Sequence, residues 1–303
     1  GYSSQMSMGP ILGTGGLAMI IPPSALGVLL AAIAEIDVGR LLVAGFLPGF
    51  VLASLYAGMI TLQLLRYPGS APAYDVDPMS IGARAKLVVT NILPMGLVVF
   101  MVVGFIVLGW ATPTEAGALG ASVVLAIALV KGMKWNSLQE ALMETAKLTA
   151  MIFSLIWGVL IFVRFLGFAG LPEAFAGWIV GLPFPPLVIM IFILLGYAVL
   201  GMFMDAIGML LLTLPLVQPL VVALGFDPIW YGVLYTITCQ IAYMTPPFGY
   251  NLFLMRAMAP KEITLQDIYR SIIPFVLIMV FGLAIVMAFP EIATYLPEKY
   301  LSR

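Results

Sequence analysis

The stretch Ile21-Pro22-Pro23-Ser24 decides the fold class, together with its counterpart Thr245-Pro246-Pro247-Phe248. Each proline pair interrupts a long apolar segment, the first over residues 9–34 and the second over residues 229–258. Proline has no amide donor and its ring clashes with the preceding helical turn, so two in succession break a helix. Both segments are therefore predicted to be discontinuous helices, each made of two half-helices with a break between them.

The composition places these broken helices in a membrane. Of the 303 residues, 63% are apolar and only 9% are charged, which is too little charge for a surface that faces water. The net charge of −1 provides no basic footprint for nucleic acid. One cysteine and no histidine exclude a disulfide within the chain and remove the commonest general base and zinc ligand.

Five uninterrupted apolar runs are each long enough for one membrane crossing of ~20 residues. They cover residues 41–65, 87–109, 113–131, 148–169 and 271–289. A further run, 186–224, has a polar kink at Gly201-Met202-Phe203-Met204-Asp205, which predicts a re-entrant hairpin. The amphipathic stretch 134–147 is predicted to be an interfacial helix on the cytoplasmic face.

The two proline-pair segments are matching parts of an internal repeat, and residues 46–50 and 272–275 downstream of them also correspond. The spans between the two segments alternate in direction, and the hairpin enters and leaves on one side. The second broken helix therefore runs opposite to the first. Residues 1–110 are predicted to be the remainder of a first inverted repeat and residues 111–303 the second. Such repeats point to a binding site near the membrane midplane.

Basic residues predict the orientation, because cytoplasmic loops are enriched in lysine and arginine. Nine of them fall on one side of the predicted membrane and four on the other. The nine are Arg66, Arg84, Lys86, Lys131, Lys134, Lys147, Arg256, Lys261 and Arg270, and the four are Arg40, Arg164, Lys299 and Arg303. The side with nine is predicted to be cytoplasmic, so the hairpin opens outward and the carboxyl terminus lies outside.

The two breaks are the candidate binding sites. Carbonyl groups near residues 18–21 lose their amide partners to the prolines, and unpaired carbonyls inside a membrane cost several kcal/mol. Such carbonyls can hold a desolvated cation. The half-helix beyond the break points its positive amino end at the same place, which suits an anionic group. The second break repeats this arrangement and adds the Thr245 hydroxyl. The alternative to a binding site, at either break, is a simple kinked helix.

Three further polar positions each have two possible roles. Asp205 is the only acid near the middle of an apolar segment, which favours ion binding, but it can equally cap the second helix of the hairpin. Asn251 lies one turn into a half-helix and could serve the site or a hydrogen bond between helices. Either Thr112 or Thr114 can cap the helix that begins near Pro113.

Five motifs, in order, resemble the large membrane subunit of the tripartite ATP-independent periplasmic (TRAP) transporters, part of the ion-transporter superfamily. They are Ile21-Pro22-Pro23-Ser24, Ala111-Thr112-Pro113-Thr114-Glu115-Ala116-Gly117, Gly201-Met202-Phe203-Met204-Asp205, Gly225-Phe226-Asp227-Pro228 and Thr245-Pro246-Pro247-Phe248-Gly249. The resemblance implies an all-α polytopic membrane protein, an inverted-repeat elevator-type transporter with discontinuous helices and a re-entrant hairpin. The family's first hairpin precedes the first broken helix and is absent, so the amino-terminal part of the family fold is expected to be missing.

The resemblance also implies a function. It predicts sodium-coupled import of an organic acid, such as a C4-dicarboxylate or sialic acid, across the bacterial inner membrane, with a periplasmic carboxyl terminus. No enzymatic activity is expected, and no cofactor besides Na⁺ as coupling ion. The expected partners are a small membrane subunit, a periplasmic substrate-binding protein and the lipid bilayer. The alternative is a single-component sodium-coupled dicarboxylate or citrate carrier of the same superfamily; a channel or an intramembrane enzyme is a more distant one.

The resemblance assigns residues to both breaks. Sodium is expected at Ala18, Ile21 and Pro23 in the first break and at Gly201, Ala242, Thr245 and Phe248 around the second. The substrate carboxylate is expected against Ser24, Thr245, Asn251 and Asp205. Family members more often carry glycine at positions 18 and 242, and alanine keeps the backbone carbonyl there while tightening the site.

Overall fold

The computed structural model describes residues 2–72, 79–260 and 262–301, and all regular secondary structure in those ranges is helical. Two compact units are present. The first comprises Gly1–Asp75 and Glu173–Arg303, and the second is Val76–Pro172. Inverted repeats are defined by symmetry and not by compactness, so this division leaves the predicted repeat boundaries untested.

The first unit begins with a broken helix. Helix α1 (Ser4–Gly15) runs into a single 3₁₀ turn (Gly16–Met19), and α2 (Ala25–Ile33) begins after the prolines. Helices α3 (Val38–Ala44) and α4 (Phe46–Arg66) follow.

The second unit contains three long apolar helices. Helix α5 (Ile81–Val107) includes two π-helical segments, Val88–Ile92 and Phe100–Gly104. Helix α6 (Pro113–Val130) starts with a capping box, in which the Thr112 side chain accepts the Glu115 amide and the Glu115 carboxylate accepts the Thr112 amide. Thr112, and not Thr114, is therefore the cap.

Helix α7 (Trp135–Phe168) differs from the prediction. An interfacial helix over 134–147 and a separate span over 148–169 were expected, but the structure has one helix of 34 residues. Neither glycine nor proline lies near the expected boundary to interrupt it. At 1.5 Å per residue the helix is about 51 Å long. It is thus longer than the ~30 Å hydrocarbon core, and the interfacial position of its amphipathic first part stays a prediction.

The chain then returns to the first unit. Its remaining helices are α8 (Leu171–Val180), α9 (Pro186–Leu200), α10 (Ala206–Ala223), α11 (Pro228–Met244), α12 (Tyr250–Met258), α13 (Leu265–Ala288) and α14 (Glu291–Leu301). Helices α9 and α10 meet at the kink that predicted a hairpin, and the second proline pair lies between α11 and α12. Helix α14 was not predicted, because its charged and polar residues give no run of membrane length.

Six helices in the described ranges are long and apolar enough to cross a membrane, as expected of a multi-span membrane protein. They are Val38–Arg66 (α3 and α4 taken together, since the backbone of Gly45 between them is also in the helical region), Ile81–Val107, Pro113–Val130, Trp135–Phe168, Ala206–Ala223 and Leu265–Ala288. The fifth of these is the second helix of the predicted hairpin, so its re-entrant course stays a prediction. So does the orientation, for which Lys261 and Arg303 lie outside the described residues.

Helix α11 forms the core of the first unit. All its residues from Ile229 to Ala242 are buried, as is Met244. A helix buried all round needs neighbours on every side, and α11 contacts α3, α9, α10, α13 and α14. The indole of Trp230 donates a hydrogen bond of 3.0 Å to the Val286 carbonyl of α13, which satisfies the only polar atom of this buried side chain.

Glycines allow α1 to approach α13 closely. A Cβ atom at Gly9 would lie 2.6 Å from Cε2 of Phe275, and one at Gly13 would lie 2.2 Å from its Cδ1. The spacing Gly9-x-x-x-Gly13 places both glycines on one helix face, which is how membrane helices commonly pack. The ring of Phe275 therefore rests directly on the backbone of α1, and this contact positions the half-helix that leads into the first break.

We expect Gly13→Val to lower the thermal stability of the purified protein in detergent. The added side chain would collide with the buried ring of Phe275, and overpacking a core costs about 1–3 kcal/mol. Gly58→Val is the matched control, since no atom lies within 4 Å of a Cβ built at Gly58. Equal melting temperatures for the two variants would contradict this account of the packing.

Candidate functional site

The second break lies between α11 and α12, at Thr245–Gly249. The Pro246–Pro247 peptide bond is cis. The Thr245 hydroxyl donates to the Ile241 carbonyl at 2.5 Å, and its amide donates to the Ala242 carbonyl at 3.3 Å. Pro247 has no amide to offer to the Tyr243 carbonyl. At the second break the Tyr243 carbonyl oxygen therefore lacks its helical donor. The nearby Thr245 hydroxyl oxygen can still accept a hydrogen bond or coordinate a cation.

The tip of the α9–α10 hairpin meets this break. A Cβ atom at Gly201 would lie 2.7 Å from the Cβ of Ala242, so only glycine fits at the end of α9. The rings of Phe203 and Phe248 are 4.9 Å apart. The expected sodium residues Gly201 and Ala242 are therefore in contact, and Phe248 lies against the hairpin tip.

A cavity of about 270 Å³ opens where the hairpin tip and the second break meet. Its lining is formed by Gly201, Met202, Phe203, Met204, Asp205, Phe248, Tyr250 and Phe253. The Asp205 carboxylate and the Tyr250 hydroxyl are the polar side-chain groups of these residues, and aromatic rings form much of the remainder. A small ligand with a polar end suits such a lining.

Two tyrosines of α11 hydrogen-bond to the backbone amide and carbonyl of Ala206, the first residue of α10. The Ala206 amide donates to the hydroxyl of Tyr243, and the hydroxyl of Tyr235 donates to the Ala206 carbonyl at 2.9 Å. Deeper in the core, the hydroxyls of Tyr197 on α9 and Tyr231 on α11 are 2.7 Å apart. These bonds fix the hairpin to α11, so the hairpin tip and the second break form one assembly.

Asp205 caps α10. Its carboxylate accepts the Gly208 amide at 2.9 Å, and the residue is exposed at the hairpin tip. Capping, one of the two roles left open by the sequence, is therefore present, and the expected ion or substrate contact of Asp205 stays a prediction. The carboxylate also neutralises the positive amino end of α10, which makes this end a poor place for a second anion.

The first break follows the 3₁₀ turn Gly16–Met19. Its Pro22–Pro23 peptide bond is also cis. The amides of Ile20 and Ile21 both donate to the Leu17 carbonyl. The carbonyl of Ala18 is therefore left without a local donor, because Pro22 has no amide and the Ile21 amide is taken.

The expected residues of the first break differ in exposure. Ala18 and Pro23 are exposed and Ile21 is half-buried, with its Cγ1 atom 2.6 Å from a Cβ built at Gly49 of α4. Ser24 is buried and caps α2, since its hydroxyl accepts the Gly27 amide at 3.1 Å and donates to the Met19 carbonyl. The hydroxyl is thus engaged in its own turn, and its expected contact with substrate stays a prediction.

Asn251 lies half-buried in the first turn of α12. Among the residues that the structure describes, no side chain caps this helix, whose N-cap residue is Gly249. The amino end of α12 is therefore open to a ligand, unlike the capped ends of α2 and α10.

The sequence did not single out Tyr235 and Tyr243 as residues of the site. Buried tyrosine hydroxyls in an apolar helix are nevertheless a signal that hydrogen-bond partners lie nearby.

Comparisons with known proteins identify the relatives of this chain. The sequence profile of the family described as "Tripartite ATP-independent periplasmic transporter, DctM component" matches residues 1–292. A C4-dicarboxylate TRAP transporter large permease of Pseudomonas aeruginosa is 29% identical over 301 residues, 98% of this chain and 69% of the relative. An ectoine TRAP transporter large permease of Halomonas elongata is 28% identical over the same shares of the two chains.

A sialic acid TRAP transporter large permease of Vibrio cholerae is 27% identical over 285 residues, 93% of this chain and 65% of the relative. These relatives are named as TRAP permeases, so the single-component carrier is not favoured. A transporter permease is also not a class of enzyme. The family profile covers nearly the whole chain, including both breaks and the hairpin, and the chain belongs to the DctM family of tripartite ATP-independent periplasmic transporter components.

Proposed function

We propose that this chain is the permease subunit of a sodium-coupled TRAP transporter that imports an organic acid. Its carboxyl terminus is periplasmic, its membrane is the bacterial inner membrane, and it works with a small membrane subunit and a periplasmic binding protein that delivers the acid. The observation that carries the proposal is the fixed contact between the hairpin tip and the second proline break. Relatives named for C4-dicarboxylate and sialic acid transport support the carboxylate class.

Sodium is proposed to bind at the carbonyl-rich breaks. At the second break, Gly201 and Ala242 bring two chain segments together, and Thr245 adds a hydroxyl oxygen whose proton is already donated to the Ile241 carbonyl. Oxygen atoms in such a setting can replace the water shell of a cation. The first break would use Ala18, Ile21 and Pro23, where the Ala18 carbonyl lacks a local donor.

The carboxylate of the substrate is proposed to bind at the amino end of α12, beside Thr245 and Asn251. The ends of α2 and α10 are less suitable because Ser24 and Asp205 already cap them. Sodium and the carboxylate would then lie close together, since α12 starts where the second break ends. Without the cation, the carbonyl oxygens of the break repel an anion, which couples the two bindings.

The elevator movement completes the proposal. In the elevator mechanism the loaded binding elements move against a fixed scaffold. The hydrogen bonds of Tyr235 and Tyr243 to Ala206 would let the hairpin and the second broken helix travel as one body. Exposed apolar surface on α7, for example at Trp157 and Phe168, suits a scaffold helix in contact with lipid or the small subunit.

Thr245→Val tests the second sodium site. Valine keeps the shape of threonine and removes the oxygen, so we expect the sodium concentration for half-maximal uptake to rise about tenfold, the effect of losing ~1.4 kcal/mol. The measurement is uptake by the reconstituted transporter at increasing sodium concentration. Thr238→Val is the matched control, because Thr238 lies on the same helix and its hydroxyl donates to the Leu234 carbonyl at 2.8 Å. An unchanged sodium dependence in the Thr245 variant would refute this site.

Uptake into proteoliposomes tests the proposed function as a whole. We expect accumulation of an organic acid only with an inward sodium gradient and only when the periplasmic binding protein is present. Replacing sodium by choline provides the control for the ion. Uptake that needs sodium but not the binding protein would indicate a single-component carrier, and uptake that ignores sodium would refute the coupling.

A further inference from the structure

A buried glutamine joins the two broken helices. Gln240 lies on α11, two residues before Ala242, and is only 2% exposed. A Cβ atom built at Gly16 would lie 1.8 Å from its Nε2, 2.6 Å from its Cδ and 3.0 Å from its Cγ. The carboxamide therefore rests directly on the backbone of Gly16, the first residue of the 3₁₀ turn that leads into the first break. Any side chain at position 16 would displace it.

The amide nitrogen of Gln240 has no hydrogen-bond partner among the described residues. A buried donor without an acceptor is unfavourable, and such a group calls for a specific explanation. Gln218 differs in its donor, because its Nε2 donates to the Ala34 carbonyl at 2.8 Å, although its Oε1 also lacks a partner among the described residues. The unpartnered donor of Gln240 instead faces a turn in which the Ala18 carbonyl lacks its local donor.

We propose that Gln240 is a positioning residue that couples the first break to the second. The proposal rests on the proposed function, in which both breaks bind sodium. A cation in the first break draws carbonyl oxygens of the 3₁₀ turn toward itself, whereas the Gln240 amide favours a carbonyl turned toward α11. The cation and the Gln240 amide therefore compete for the same carbonyl groups of the 3₁₀ turn. The conformation of the turn thus affects the position of the Gln240 carboxamide.

The same helix transmits this effect to the second break. Gln240 precedes Ala242 by two residues, and the Ile241 carbonyl between them accepts the Thr245 hydroxyl. A shift of the carboxamide therefore moves the end of α11, where the second sodium is proposed to bind. Coupling between two sites of this kind typically changes affinity by 5–150-fold.

A double-mutant cycle tests the coupling in the intact transporter reconstituted with its partners. Gln240→Leu removes the amide, and Gly16→Ala displaces it. We expect each to raise the sodium concentration for half-maximal uptake about fivefold at saturating substrate. The substrate KM at saturating sodium should stay within about twofold of wild type. Because both changes break one contact, the double variant should be no worse than the more affected single variant by more than about twofold.

Gln218→Leu is the matched control and should leave the sodium requirement unchanged.

Two results would overturn the proposal. One is a half-maximal sodium concentration within about twofold of wild type in both single variants. The other is a double variant in which the fold-increases of the two single variants multiply. If Gly16→Ala is not produced, Gln240→Met keeps the side-chain volume and is expected to give the same fivefold rise. A purely structural role would lower the amount or maximal rate of the transporter without this rise. Wild-type uptake that is independent of sodium would instead refute the proposed function.

Discussion

The structure depends on one constraint: two pairs of consecutive prolines, each inside an apolar segment, remove backbone amide donors. Pro22 and Pro23 lie between the 3₁₀ turn Gly16–Met19 and α2, and Pro246 and Pro247 lie between α11 and α12. In a membrane the freed carbonyl oxygens cannot turn to bulk water. Local bonds satisfy part of the demand, such as those of the Ser24 hydroxyl to the Met19 carbonyl and of the Thr245 amide to the Ala242 carbonyl. The remainder is what a desolvated cation could satisfy.

The surrounding packing keeps the second break in a defined geometry. Helix α11 is buried along nearly its whole length, and Tyr235 and Tyr243 fix the hairpin tip to it. The contact between Gly201 and Ala242 leaves no space for a larger residue at the end of α9. Since cores of this density do not deform continuously, binding at the break should act on the hairpin and α11 together.

The apolar pattern predicted much of the fold, because membrane spans depend on length and hydrophobicity alone. Both proline breaks and the kink at Gly201–Asp205 lie between helices where the pattern placed them. The undivided course of α7 was missed, since a change from amphipathic to apolar sequence does not by itself end a helix. The tyrosine contacts to Ala206 also could not be predicted, because they join residues far apart in sequence. The role of Asp205 was left open for the same reason, as capping depends on the local backbone.

Direct binding of sodium tests the central claim, that the proline breaks hold a desolvated cation. The measurement is equilibrium binding of radioactive sodium to the purified transporter in the absence of any gradient. We predict saturable binding that excess potassium does not displace, because a fixed set of carbonyl oxygens distinguishes ions by size and coordination. Binding that does not saturate, or that potassium removes as well as sodium does, would contradict it.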